Sequence, residues 1–210
     1  MADAEPKPRR RPRGRPDTRE AILACAEALL QRRGFNGFSY QHIARQLGLR
    51  TAAIHYHFPA KDDLGVALVR RYRDSFQKWV RSIEFETAAW ARLQAYFGTY
   101  LAHLETEDGR LCPGGVFGAD FGVLCDEMRV EARMLMRETY AWLVLTLEEG
   151  RREGSLRFEG DAYDKAVMVG AALQGGLQIA RLAGAHRFRQ LLAQLELELT
   201  GNKPQTGPLP

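Results

Sequence analysis

A chain of 210 residues, 45% hydrophobic and 27% charged, has ordinary globular composition and enough length for one or two small domains with a real core. No run of eighteen or more apolar residues is present, so no membrane span is expected. Three cysteines, Cys25, Cys112 and Cys125, are too few and too scattered for a disulfide framework or a zinc site. The formal charge of +4 is modest, but it is unevenly placed: Lys7 to Pro16, KPRRRPRGRP, holds basic residues and no acid, while the rest of the chain is close to neutral.

The segment that holds this stretch, residues 1–16, is expected to be a disordered arm, because closely spaced like charges among prolines cannot enter a core. It runs into Asp17-Thr18-Arg19-Glu20 rather than into an apolar stretch, so no secretory signal is expected and a reducing cytoplasm is the simplest location. Within the arm, Pro12-Arg13-Gly14-Arg15-Pro16 resembles the core of the AT-hook. Arg13 and Arg15 would then lie along a narrow A·T-rich minor groove, whose negative potential attracts guanidinium groups. The alternative is a basic tail that only raises nonspecific affinity for DNA.

From Thr18 to Gly34, the apolar positions Ile22, Cys25-Ala26 and Leu29-Leu30 form one helical stripe. Asp17 or Thr18 can cap its start and Gly34 can end it; Cys25 lies in the stripe and reads as a buried, inert thiol. In Ser39 to Lys61, SYQHIARQLGLRTAAIHYHFPAK, a short helix carries Ile43, Ala44 and Leu47, and Gly48 suits the left-handed position that ends it. A second short segment, Thr51 to Phe58, places Ile54 and Phe58 on one face. Thr51, Ala52, Ala53, His55, Tyr56 and His57 are left mostly free to look outward. Two short helices across a tight turn, the second with an exposed polar and aromatic face, make the helix-turn-helix layout, whose second helix enters the DNA major groove.

Residues 17 to 70 also resemble the DNA-binding signature of the TetR family of transcriptional repressors. The resemblance is carried by Thr18-Arg19-Glu20, Gly34-Phe35, Ser39, Ile43-Ala44, Leu47-Gly48-Leu49 and Ile54-His55-Tyr56-His57-Phe58-Pro59, followed by Lys61 and Leu64. Arg50 stands where such proteins more often have a capping Ser, and Thr51 is expected to take over the cap by a one-residue shift. On this reading Ser39 and Tyr56 meet phosphate oxygens, and Thr51, Ala53 and His55 meet base edges or thymine methyls. His57 and Lys61 meet phosphate, Gln41 faces the backbone or solvent, and Arg50 adds general electrostatic attraction.

Lys61 opens a longer helix to about Glu84, which the resemblance makes a lever between the DNA-binding unit and the remainder; Lys61 would hold a phosphate at its start. Further helices are expected over Thr87 to Glu107, Asp126 to Gly150, Asp161 to Ala183 and Ala185 to Leu199. Leu111 to Gly122 reads as a loop with a short helix, and Gly150 to Gly160 as a polar connector. The Asp126 to Gly150 helix is apolar nearly all round from Met134 to Leu147 and should run through the centre of a domain. The fold class is therefore all-α: a helix-turn-helix domain over 17–64, a larger helical ligand-binding and dimerisation domain over 65–200, and a loose tail over 201–210.

The resemblance implies a homodimer through the last two long helices, which carry small residues such as Gly170, Gly175 and Gly176, with double-stranded DNA as partner. It also implies an unidentified small-molecule inducer. Trp90, Phe97, Tyr100, Phe117, Phe121, Met134, Trp142, Gln174 and Gln178 are candidate pocket residues, although the same set would describe an ordinary core. Cys112, in Leu111-Cys112-Pro113-Gly114-Gly115, sits at an expected helix start and is a candidate redox or electrophile sensor. No Walker loop, HExxH, GxSxG or dinucleotide fingerprint occurs, so no enzyme, cofactor or metal is expected. The leading reading is a ligand-responsive repressor at an inverted repeat; an architectural binder of A·T-rich DNA and a thiol-based repressor are the alternatives.

Overall fold

The computed structural model describes residues 17–85, 88–104 and 112–202. Among them there is no strand; the chain runs α1 (Thr18–Arg33), α2 (Tyr40–Leu47), α3 (Thr51–His57), α4 (Lys61–Ser82), α5 (Ala89–Leu104), α6 (Pro113–Ala119), a single 3-10 turn (Phe121–Val123), α7 (Asp126–Glu153), α8 (Ala162–Ala183) and α9 (Ala185–Thr200). The arm, Arg13 and Arg15 included, and most of the tail lie outside the described residues.

Local chemistry sets the helix ends. The Asp17 carboxylate accepts from the Arg19 N–H at 3.1 Å and caps α1. Gly48, at φ 64° and ψ 29°, ends α2 in the left-handed region where a Cβ would be strained. The expected shift of the next cap does not occur: Arg50 is the residue before α3, with extended backbone and no side-chain cap, and Thr51 is already its first helical residue. Asp63 reaches back to the Ala60 N–H at 2.8 Å and fixes the start of α4.

Two cores form. The first gathers Ile22, Leu29, Leu30, Phe35, Phe38, Ile43, Ile54, Phe58, Leu64 and Leu68 from the first four helices and the turns between them, together with Val116, Phe117, Leu124 and Met128 from α6, the 3-10 turn region and α7. The second gathers Leu93, Tyr96, Phe97, Tyr100, Leu143, Leu147, Leu173, Leu177, Phe188 and Leu199 from α5, α7, α8 and α9. Burying each such side chain is worth about 1.5–3 kcal/mol. The first core thus crosses the 64/65 division expected from the sequence, because α4 runs unbroken across it and α6 packs beneath it.

Two sequence expectations change here. The helix α7 lies between α4, α5, α6 and α8, but Val130, Met134, Met136 and Leu145 are exposed on its outer side, so it is not buried all round. The connector after it is not simply polar, since Leu156 and Phe158 are buried and the Arg157 N–H donates to the Leu199 carbonyl at 2.8 Å. By length and mean hydropathy α8 is long and apolar enough to cross a bilayer, although it holds no unbroken apolar run of that length; it packs along α9, α7 and α5.

Candidate nucleic-acid interface

In α3, burial separates the two faces. Ile54 and Phe58 are 0% and 2% exposed, whereas Tyr56 is 83% exposed, so the apolar positions anchor the helix and the polar ones are free to meet a partner. Arg50 and His55 are exposed; Thr51, Ala53 and His57 are half-buried, with the His57 ring edge-on to Tyr56 at 5.2 Å. On α2, Gln41 is exposed, and Ser39 is half-buried at the helix start, its N–H donating to Nδ1 of His42 at 3.0 Å.

A residue not anticipated from the sequence holds this surface together. The Tyr40 hydroxyl lies 2.8 Å from the Phe58 carbonyl and 2.6 Å from that of Ala60, and with one proton donates to one of them at a time. Burial, then the charges of Asp63 and Asp62, push its pKa up to about 12, so it stays a neutral donor. Tyr40 therefore ties the first helix of the motif to the end of the second. Its place beside the Ser39 cap was the only sign of this role in the sequence.

Lys61 was expected to face phosphate, but it points inward. Its ammonium donates to the Phe35 carbonyl at 2.6 Å and lies 4.5 Å and 4.7 Å from the Phe35 and Phe38 rings. Burial lowers its pKa, against the opposing charges of Asp120 and Asp62. A carbonyl and two aromatic faces replace much of the water that the ammonium gives up, so this lysine is a tie between α1 and α4.

The candidate ligand residues are spread over both cores and the surface. Phe117 is in the first core, and Phe121 packs against that core beneath Arg133, 5.0 Å from its ring; Met134 and Gln178 are exposed. Trp90, Phe97, Tyr100, Trp142 and Gln174 lie at the second core or its edge. There Trp142 stands 5.1 Å from Tyr96 and 5.2 Å from Trp79, two rings that sequence periodicity could not place beside it. The Tyr96 and Tyr100 hydroxyls meet at 3.0 Å, and burial raises both pKa values. Cys112 is half-buried just before α6, and the Gln174 amide lies 3.2 Å from its sulfur. An open groove of about 720 Å³ between α1, the end of α3 and α4 is lined by Arg19, Glu20, His57, Asp63, Arg70 and Asp74 among others, charges of both signs that do not suit an apolar ligand.

A helix-turn-helix with an exposed reading face, borne on a larger helical body, defines a DNA-binding transcription regulator. Residues 22–68 match the pattern of bacterial regulatory proteins of the tetR family. The chain is 30% identical to a TetR-family transcriptional regulator of known structure from Agrobacterium tumefaciens, over 87% of this chain and 97% of that one, with a TM-score of 0.82. A TetR transcriptional regulator from Legionella pneumophila is also 30% identical, with the same coverage and a TM-score of 0.77. The HTH-type transcriptional regulator LmrA of Bacillus subtilis is 26% identical, over 80% of this chain and 88% of LmrA. The HTH-type transcriptional repressor NemR of Escherichia coli is 25% identical, over 80% and 85%. The chain belongs to the TetR family; its relatives are named as transcription regulators and not as enzymes.

Proposed function

We propose that the protein is a homodimeric repressor that binds an inverted-repeat operator and is released by a small, largely apolar inducer. The observation that carries this reading is a stripe on the outer face of α8. Tyr163, Val167, Ile179 and Leu182 are exposed there, along with Ala171 and Gly175, and Leu197 is exposed on α9. Spaced by three or four residues, these side chains make one continuous apolar and small-residue face, suited to close packing against a twofold copy of itself. Two reading helices about 34 Å apart then meet successive major grooves.

In this proposal Thr51, Ala53 and His55 address bases, while Ser39, Gln41, Tyr56 and His57 address the backbone with Arg50 nearby. Arg13 and Arg15 of the arm add minor-groove or nonspecific contact, and a DNA partner is consistent with a cytoplasmic protein. The inducer would lodge beside the Trp79, Tyr96 and Trp142 rings, close to the inner end of α4. A hundredfold loss of DNA affinity requires about 2.7 kcal/mol of coupling. Selection of bound sequences from a random DNA pool, with sedimentation to give the oligomeric state, tests the reading. A palindrome bound by a dimer supports it; scattered A·T-rich sites bound by a monomer support the architectural alternative.

A second reading, thiol-controlled release, is favoured by the Gln174 amide on the Cys112 sulfur, a donor that stabilises developing thiolate charge. Under it, Cys112→Ser abolishes release of DNA by peroxide or an alkylating electrophile; release that persists in the variant removes it.

A further inference from the structure

The polarity of one ring in the reading helix is set by the protein itself. Nδ1 of His55 lies 3.0 Å from the Pro59 carbonyl oxygen. That oxygen can only accept, so Nδ1 carries the proton. The ring plane is held as well: the Tyr40 ring stands edge-on at 4.8 Å, and Tyr40 is pinned through its hydroxyl to the carbonyls on either side of Pro59. With Nδ1–H committed, the uncharged imidazole has a single remaining polar atom, Nε2, and that atom is a bare acceptor. His55 is exposed on α3, one helical turn beyond Thr51.

We infer that His55 is a specificity-determining residue that accepts a hydrogen bond through Nε2 from an exocyclic amino group, adenine N6 or cytosine N4, in the major groove. The other hydrogen-bonding atoms of the major-groove edges, thymine O4, guanine O6 and N7 and adenine N7, are acceptors and would face the Nε2 lone pair without a proton between them. A ring free to choose its tautomer could donate to those atoms; here the Pro59 carbonyl removes the choice. Tyr40 acts as a positioning residue, through His55 and not on DNA. The inference rests on α3 being the base-reading helix.

The test uses the full-length protein at a pH of about 8, where free imidazole is uncharged. The half-site recovered from a random pool is remade with single bases lacking the amino group, purine for adenine and 2-pyrimidinone for cytosine. Each is titrated with the wild-type chain and with His55→Phe. One amino-deleted position is expected to cost the wild type about tenfold in affinity and to cost His55→Phe nothing further. Proton–nitrogen correlation spectra of the free protein are expected to show the Nδ1–H tautomer for His55. Equal losses for the two chains at every position overturn the assignment, and so does an Nε2–H tautomer. A pool that yields no half-site overturns the base-reading role of α3 and this assignment with it; a half-site without the coupling overturns the assignment alone.

Discussion

The main-chain N–H of Phe35 donates to Oδ2 of Asp120 at 2.7 Å, across 85 positions of sequence. The carbonyl of the same residue accepts from Lys61 at 2.6 Å. Both polar groups of one peptide residue at the end of α1 are therefore held from outside: one from the turn after α6, the other from the first residue of α4. This residue thus links α6 to the start of α4.

Asp120→Ala strands the Phe35 N–H, which is buried with its ring, and is expected to cost about 1–3 kcal/mol. Asp120→Asn keeps an acceptor oxygen and should cost less. Urea unfolding of the two variants checks this, and equal stabilities would mean that water replaces the carboxylate.

The approach of α4 to α7 depends on Gly65, where an added Cβ would lie 2.4 Å from the Met128 sulfur and 2.9 Å from Cζ of Phe35. Helix propensity alone favours Gly65→Ala by about 1 kcal/mol, but overpacking a filled core costs about 1–3 kcal/mol. A net loss is expected in thermal unfolding. A gain would show that the Met128 side chain yields freely.

The ion pairs that join α4 to α7 make stability acid-sensitive. Burial pushes the Glu131 carboxyl up, but hydrogen bonds from Arg70, at 2.8 Å, and Arg73, together with their charges, outweigh it and leave the pKa below the usual value. Its stabilising contribution is thus complete above the unfolded-state carboxyl pKa of about 4.3 and fades as pH falls through the lower folded value. Glu131→Gln should lower stability near neutrality and flatten the acid limb of a stability profile. An acid limb identical to that of the wild type would place the sensitivity elsewhere.

Tyr56, being 83% exposed, can be removed without harm to the fold. Tyr56→Ala is expected to weaken operator binding by about 1–3 kcal/mol while unfolding remains unchanged. Unaltered affinity in a gel-shift titration would show that the ring does not touch DNA.

Ile179 and Leu182 stand at the end of the α8 stripe, 55% and 91% exposed. Charging both, as Ile179→Glu with Leu182→Glu, should give monomers in sedimentation that bind a half-site but lose the affinity of the paired site. A dimer that survives would put the contact on another face.

Amino-acid order by itself determined the helical class and the motif. Ile43, Ala44 and Leu47 before Gly48, then Ile54 and Phe58 after it, fall at spacings that leave one helix end and one buried face available, and local sterics and periodicity enforce both. The outward position of Tyr56 followed from the same spacing. What only tertiary structure decided were the contacts between segments far apart: Asp120 on Phe35, Lys61 turned inward, Met134 and Gln178 on the surface, and Trp79 and Tyr96 beside Trp142. Periodicity says which side of a helix is apolar, but not which neighbour that side meets. An ammonium or carboxylate takes the best partner that packing brings within reach, and that partner is set by the path of the whole chain.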